Sequence, residues 1–557
     1  MNQQPAAPSA SPDDHKQRWG TRLGIILAVA GSAVGLGNFL RFPGNAAANG
    51  GGAFMIPYFV SFLLLGIPIG WAEWAMGRYG GRKGFHSTPA IMGVWGKGAF
   101  ARYMGAFGVL VPLVIYFYYV VIESWCLRYA FAYATGGIGV DPGATVAAQV
   151  EASKAYFGEV TFSAANGVLA DGGVHASVWF WLVTFALNAW FVFRGLSRGI
   201  EKFCLWAMPT MAVCALVVLG RVLTLPPDAV NPAEQNVLSG LNFMWNPDFA
   251  MLLNPQTWLA ASGQIFFSMS VGFGLIINYA SYLRRRDDVV LSGLTAGATN
   301  GFFEVALGGM ITLTASVVFL GLAATQANSG GTFSTGFFAL PVVFARMPAG
   351  QFFGAVWFFM LFLAAITSSL SMLQPAKAFF AETLGLTNGR ATLFTAFICL
   401  LGNLFVLWFS QDLIALDTLD FWVGTFLIFV VAGTQIICFS WVTGLERGLK
   451  EAHEGSLIRI PRFVAFIMKW VSPAYLLVVF GLFCWLKVPG YVRTITGSDG
   501  SPPNMAALYA WAVILITIVL LLTVTAIGAR RWRAAGLDLD GRLPAPDDDD
   551  DGPGGAR

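Results

Sequence analysis

Residues 31–38 read Gly31-Ser32-Ala33-Val34-Gly35-Leu36-Gly37-Asn38 and continue into Phe39-Leu40-Arg41-Phe42-Pro43. They interrupt an apolar run long enough to cross a bilayer, and they put a charge and a proline where lipid is expected. Each glycine weakens a helix by about 1 kcal/mol relative to alanine, and three of them fall here. Backbone that leaves the helix inside a membrane must be buried in protein or line a cavity, because lipid cannot satisfy its N–H and C=O groups. The stretch therefore reads as a binding site made of main chain. Close helix packing through the glycines is the competing explanation, and the rest of the chain decides between them.

Of the 557 residues, 56% are apolar and 11% charged, with a mean hydropathy of +0.65. This places the chain among all-α polytopic membrane proteins. Apolar windows of about 20 residues give twelve expected spans, near 21–48, 52–80, 99–135, 177–193, 197–224, 256–282, 292–323, 351–384, 391–409, 413–442, 461–487 and 507–530. The first fifteen residues are polar, without an apolar signal region, so no cleaved leader is expected.

Basic residues set the orientation. Lys16, Arg18, Arg22, Arg78, Arg82, Lys83, Arg102, Arg194, Arg198, Lys202, Arg284 to Arg286, Arg447 and Arg530 fall on one side. The opposite loops, 136–175, 225–254 and 324–350, hold chiefly Lys154 and Arg346. That bias predicts a multi-pass protein of the cell's inner (plasma) membrane with both termini cytoplasmic. The net charge of +3 gives no reason to expect nucleic acid as a partner. The six cysteines lie in apolar spans without metal-ligand spacing and read as packing residues. Asp547 to Asp551 form a like-charge block, so 1–15 and 531–557 are expected as disordered tails.

A second interrupted span runs Gln264-Ile265-Phe266-Phe267-Ser268-Met269-Ser270-Val271-Gly272-Phe273-Gly274. It opens a second group of five spans as the first break opens the first group. Paired breaks at corresponding positions point to a transporter with inverted repeats and a site at the midplane. Five spans per repeat make the copies antiparallel: 16–224, then 225–442, with the last two spans in 443–530 outside the repeat. Half-helix N-termini suit a carboxylate, and freed carbonyls suit an alkali cation.

Several motifs carry a resemblance. They are Arg18-Trp19-Gly20-Thr21-Arg22-Leu23-Gly24, the Gly-Leu-Gly-Asn-Phe-Leu-Arg-Phe-Pro run, Asn49-Gly50-Gly51-Gly52-Ala53-Phe54, Glu73-Trp74-Ala75-Met76-Gly77-Arg78, Gln264 to Gly274, and Leu416-Asp417-Thr418-Leu419-Asp420-Phe421-Trp422. Together they resemble the neurotransmitter:sodium symporter family, above all its bacterial amino-acid members, from about residue 16 to 530. The resemblance implies a LeuT-like 5+5 inverted repeat of 12 transmembrane helices with helices 1 and 6 broken.

It also implies two Na⁺ sites. The first would use the Ala33 carbonyl, Asn38, Ser268 and Asn300, completed by the substrate carboxylate. The second would use carbonyls of Gly31, Val34 and Ala364 with hydroxyls of Thr367 and Ser368. The substrate carboxylate would meet the amides of Leu36 and Gly37 and the Tyr119 hydroxyl. Its ammonium would meet carbonyls of Ala33, Phe267 and Ser268, near Ser270. Its side chain would lie among Ile115, Tyr119, Phe267, Phe273, Ser270, Ser368 and Met372. Ser32 and Met372 depart from the family's asparagine and branched aliphatic residue, which bears on substrate choice.

Gates carry over as Arg41 and Asp420 with Gln264 outside, and Lys16 and Glu382 with Tyr282 inside. Glu304 stands where chloride-dependent relatives have a small polar residue, which implies a built-in counter-charge and no chloride. The resulting expectation is no enzyme, but sodium-coupled uptake of a neutral, aliphatic α-amino acid with two Na⁺ per substrate. A homodimer is compatible with it. The rival readings are a proton-driven amino-acid transporter and a sensor that binds amino acid without moving it.

Overall fold

The computed structural model describes residues 19–170, 173–329, 333–497 and 502–543. Lys16 and the Asp547–Asp551 block lie outside the described residues. The described chain is helical apart from a two-residue antiparallel hairpin, Leu169–Ala170 with Gly173–Val174. Among the described residues, ten helices are long and apolar enough to span a bilayer: Gly52–Arg82, Ala99–Thr135, Ala176–Phe193, Leu196–Leu223, Val289–Leu320, Gly350–Leu384, Asn388–Trp408, Gln411–Val442, Arg462–Thr496 and Met505–Ala534. An eleventh span is the bent pair Arg22–Ala33 and Gly37–Ala48, which meet at 46°. The remaining expected crossing is Pro255–Ser268 and Leu275–Ala280, of 14 and 6 residues, each too short to cross alone. Both breaks therefore fall where the sequence places them, in spans 1 and 6 of twelve.

Local chemistry explains both. Span 1 starts at an N-cap, where Thr21 Oγ1 accepts the Gly24 N–H at 2.9 Å. It loses helical geometry at Val34, whose φ and ψ are −75° and 96°. Span 6 starts at Asn254, which caps the Gln256 N–H at 3.0 Å, followed by Pro255 at the first helical position. Its break carries Ser270, Gly272 and Gly274 at φ of 54°, 83° and 71°. A serine in the left-handed region is a strained residue, and such strain gathers at functional sites.

Ala99–Thr135 and Gly350–Leu384 are the most enclosed spans and form the centre of the bundle. The later and lateral spans turn large apolar side chains outward, among them Trp179, Val213, Leu401, Val478 and Val519. An exposed apolar girdle of this kind is what lipid covers. Gly308 lets span 7 approach the unwound turn of span 1, since a Cβ there would sit 2.9 Å from the Asn38 carbonyl carbon.

The expected C-terminal tail starts later than residue 531. The last helix runs to Ala534, and 535–543 folds back on the loop after span 2. Lys83 Nζ meets Asp538 at 2.5 Å and donates to the Leu543 carbonyl at 2.7 Å, while Arg102 meets Asp540 at 2.9 Å. Alternating leucines and aspartates at 537–540 bury Leu539 and pair the acids with these cations.

Candidate functional site

The two breaks face each other and are tied by their own freed polar groups. In span 1, Asn38 Oδ1 accepts the Gly35 N–H at 2.9 Å, and the Leu36 N–H donates to the Tyr119 hydroxyl at 3.2 Å. The Ser32 carbonyl accepts Ser270 Oγ from the span 6 break at 3.1 Å and Ser368 Oγ at 3.2 Å. Gln264 Nε2 donates to the Gly37 carbonyl at 3.1 Å. All of these groups are buried, so side chains stand in for the missing helical partners.

One oxygen cluster forms beside the break. The outer amide atom of Asn300 lies 3.1 Å from the Ala33 carbonyl oxygen and 3.3 Å from that of Ser268. Because Gly35 N–H fixes the oxygen end of Asn38, Asn38 Nδ2 points at the same atom, at 2.8 Å, and favours oxygen there. Three oxygens then face each other with no proton between them, a donor set suited to a hard cation. With the amide turned over, its nitrogen would instead bond both carbonyls. Asn38 is expected to offer oxygen to this cluster but turns that oxygen to the unwound backbone, which needs an acceptor. Asn300 Nδ2 donates to Ser268 Oγ at 3.3 Å and to Glu304 Oε2 at 3.4 Å. Glu304 also accepts the Tyr58 hydroxyl at 2.6 Å and Gln264 Nε2.

A second cluster lies across the helix. Ser368 Oγ is 3.3 Å from the Gly31 carbonyl, 3.2 Å from that of Ser32 and 3.1 Å from that of Ala364. Thr367 Oγ1 is 3.0 Å from the Ala364 carbonyl. Val34 caps the half-helix beside them. The structure thus gathers Gly31, Ala364, Thr367 and Ser368 as expected.

Between the clusters is a cavity of ≈ 10 Å³ lined by Ser32, Ala33, Gly35, Gly37, Tyr119, Phe267, Ser268, Ser270, Phe273, Ser368 and Met372. Two expected substrate residues do not line it, although the Leu36 N–H reaches Tyr119, which does. Ile115 is buried one turn before Tyr119 and does not line it, and Leu36 lines the outer chamber instead. That chamber, ≈ 310 Å³, holds Arg41 and Asp420 on its walls. Among the described residues the two form no ion pair: Arg41 lies over the Phe267 ring at 4.5 Å, and Asp420 accepts the Tyr118 hydroxyl at 2.6 Å.

On the opposite side, Glu382 accepts the backbone N–H groups of His86 and Ser87 at 2.8 and 2.7 Å, so it caps the helix Thr88–Trp95. Tyr282 stacks on His86 with ring centroids 4.3 Å apart. Sequence reasoning missed two acids. Glu201 accepts the N–H groups of Gly20 and Thr21 at 2.8 and 3.0 Å, pinning the segment before span 1. Glu123 accepts Ser369 Oγ at 2.7 Å and Asn188 Nδ2 at 3.0 Å behind the second cluster. A lone acid inside an apolar run is the signal for Glu123; Glu201 lies in a charged stretch beside Arg198 and Lys202 and carries no such signal.

Residues 16–531 match the model of the sodium:neurotransmitter symporter family. An uncharacterized sodium-dependent transporter of Methanocaldococcus jannaschii is 30% identical over 469 residues, 83% of this chain and 89% of the relative. Sodium-dependent nutrient amino acid transporter 1 of Drosophila virilis is 26% identical over 507 residues, covering 84% and 77%. The crystal structure of MhsT in complex with L-phenylalanine superposes with a TM-score of 0.69 at 24% identity, covering 83% of this chain and 99% of that one. Twelve crossings, two facing helix breaks and a match over nearly the whole sequence lead to one conclusion: this polytopic membrane protein belongs to the sodium:neurotransmitter symporter family, a family of sodium-dependent transporters.

Proposed function

We propose that the chain takes up a neutral α-amino acid together with two sodium ions, without chloride, by alternating access. The reading rests above all on the Asn300 amide, held 3.1 and 3.3 Å from two carbonyls freed by helix breaks. One ion sits among Ala33, Ser268 and Asn300 with Asn38 beside it, and the substrate carboxylate completes its shell. The second sits among Gly31, Val34, Ala364, Thr367 and Ser368. The substrate carboxylate reaches the Leu36 and Gly37 amides and Tyr119. Its ammonium meets carbonyls of Ala33, Phe267 and Ser268, and its side chain lies against Phe267, Phe273 and the pliable Met372. Ion and carboxylate neutralise each other in a dry site, so each raises the affinity of the other by the same factor.

Glu304 supplies the counter-charge that chloride gives elsewhere in the family. Arg41 and Asp420 close the outer side with Gln264, and Lys16 and Glu382 the inner side with Tyr282. The first, second, sixth and seventh spans rock against the third, fourth, eighth and ninth. One Na⁺ moving through 100 mV yields about 2.3 kcal/mol, and a tenfold gradient about 1.4 kcal/mol more. Two ions therefore sustain roughly 10⁵-fold accumulation at the thermodynamic limit.

The test is uptake of labelled amino acids into proteoliposomes under imposed sodium gradients, with and without chloride. Concentrative uptake that needs sodium but not chloride is expected. Uptake that follows a proton gradient at fixed low sodium would reject the coupling, and binding without uptake would make the chain a sensor.

A further inference from the structure

Far from both breaks, a cavity of ≈ 740 Å³ opens between the end of span 2, the turn after span 6 and the helix Leu445–His453. Its charge is one-sided. Arg82, Arg285, Arg447, Lys450 and Arg459 line it against two carboxylates, Glu451 and Glu454. Those carboxylates are already engaged: Arg82 meets them at 3.1 and 3.2 Å, Arg285 pairs with Glu454, and the buried Arg78 holds Glu451 at 3.0 Å. Arg447, Lys450 and Arg459 have no acidic partner among the described residues. Arg447 instead donates to the Tyr79 hydroxyl at 2.9 Å and lies over its ring. Three positive charges therefore face one space without compensation.

The level of this cavity is set by its neighbours. The helix that carries Arg447 and Lys450 starts three residues after the span ending at Val442. Trp441, exposed next to the span end at Val442, lies 6.0 Å from Trp470, which is exposed on the following span. Exposed tryptophans at span ends sit at the headgroup layer. The volume far exceeds what a bare oxyanion fills, and Tyr79 and Trp95 give it an aromatic wall.

We infer that this cavity is a binding site for the phosphate-bearing headgroup of an anionic phospholipid, held by Arg447, Lys450 and Arg459. Arg447, at the span end, takes the phosphate by its planar fork. Lys450 and Arg459 add point charge. On the orientation proposed above, this is the cytoplasmic leaflet, where anionic lipid is met by basic clusters.

The test measures binding in detergent, so it is independent of sodium coupling and of orientation. Dioctanoyl phosphatidylglycerol, dioctanoyl phosphatidylcholine and inorganic phosphate are titrated against the full chain, read by thermal shift and native mass spectrometry. The expected result is saturable, salt-sensitive binding of phosphatidylglycerol alone. It should weaken about 100-fold when Arg447→Gln, Lys450→Gln and Arg459→Gln are combined. These three side chains are exposed, so the variant should fold, and sodium-dependent substrate binding in the same sample checks that it has. Equal binding of the zwitterionic lipid, or undiminished binding by the triple variant, overturns the proposal. Inorganic phosphate matching the lipid makes it a free-ion site and also overturns it. So does lipid binding that appears only when Asp547 to Asp551 are replaced by asparagine, because the chain's own acidic block would then be the occupant.

Discussion

Gly35→Ala isolates the contribution of the unwound backbone. A Cβ at Gly35 would stand 2.6 Å from Ser368 Oγ and 2.7 Å from the Tyr119 hydroxyl oxygen. Both approaches are roughly 0.7 Å short of ordinary contact. Neither oxygen is free to retreat. Ser368 Oγ is within hydrogen-bond reach of three carbonyls, and the Tyr119 oxygen holds the Leu36 N–H. Overpacking of this kind costs about 1–3 kcal/mol. If it falls on the ligand-bound form, affinity drops roughly 5- to 150-fold. Equilibrium binding of a labelled neutral amino acid against sodium concentration reads this, with the melting temperature as a fold check. Gly263→Ala is the control, since nothing lies within 4 Å of its added Cβ; there the helix should gain up to about 1 kcal/mol. If Gly35→Ala binds substrate and sodium as the parent does while losing stability, Ser368 and Tyr119 are packing residues and the site lies elsewhere.

Asn300→Ala removes one oxygen of the first cluster and its bond to Asn38; the half-saturating sodium concentration should rise by about one to two orders of magnitude, and an unchanged sodium titration refutes that ligand. Glu304→Ser takes away the carboxyl group held by Tyr58 and Gln264, the counter-charge of the proposed mechanism, so transport should come to need chloride; activity in chloride-free buffer equal to the parent's contradicts the assignment. Glu201→Gln weakens the acceptor that pins Gly20 and Thr21, at about 1–3 kcal/mol for each charge-assisted bond. A cysteine placed at Thr21 should then react faster with a water-soluble maleimide, and an unaltered rate would show that Glu201 does not hold the segment. Tyr118→Phe removes the hydroxyl on Asp420 and should weaken binding by about 1–3 kcal/mol with sodium affinity nearly kept. A loss confined to sodium would speak against an outer-gate role.

Both helix breaks were legible because glycine runs, a charge and a proline inside apolar windows have no other stable home in lipid. Gly31, Ala364, Thr367 and Ser368 lie close together in the fold, and the sequence pointed to them only through resemblance to a known pattern. For Ile115 the sequence gives only a helix face, and whether that face reaches a cavity depends on how Ala99–Thr135 is rotated against its neighbours. Glu123 stands out only as a charge in apolar surroundings, and Glu201 is one charge among several in its stretch; their partners, Ser369 and Thr21, are 246 and 180 residues away.

The sequence by itself determined the membrane class, the twelve crossings, the two interruptions and the one-sided placement of basic residues. These follow from local hydropathy and backbone propensity, which neighbouring residues suffice to set. Tertiary packing alone decided that Asn38 turns its oxygen to Gly35, that Glu382 caps the helix at Thr88, and that residues 535–543 dock on Lys83 and Arg102. Each is a choice among partners for a buried polar group, and that choice depends on which distant groups the folded bundle brings within about 3 Å.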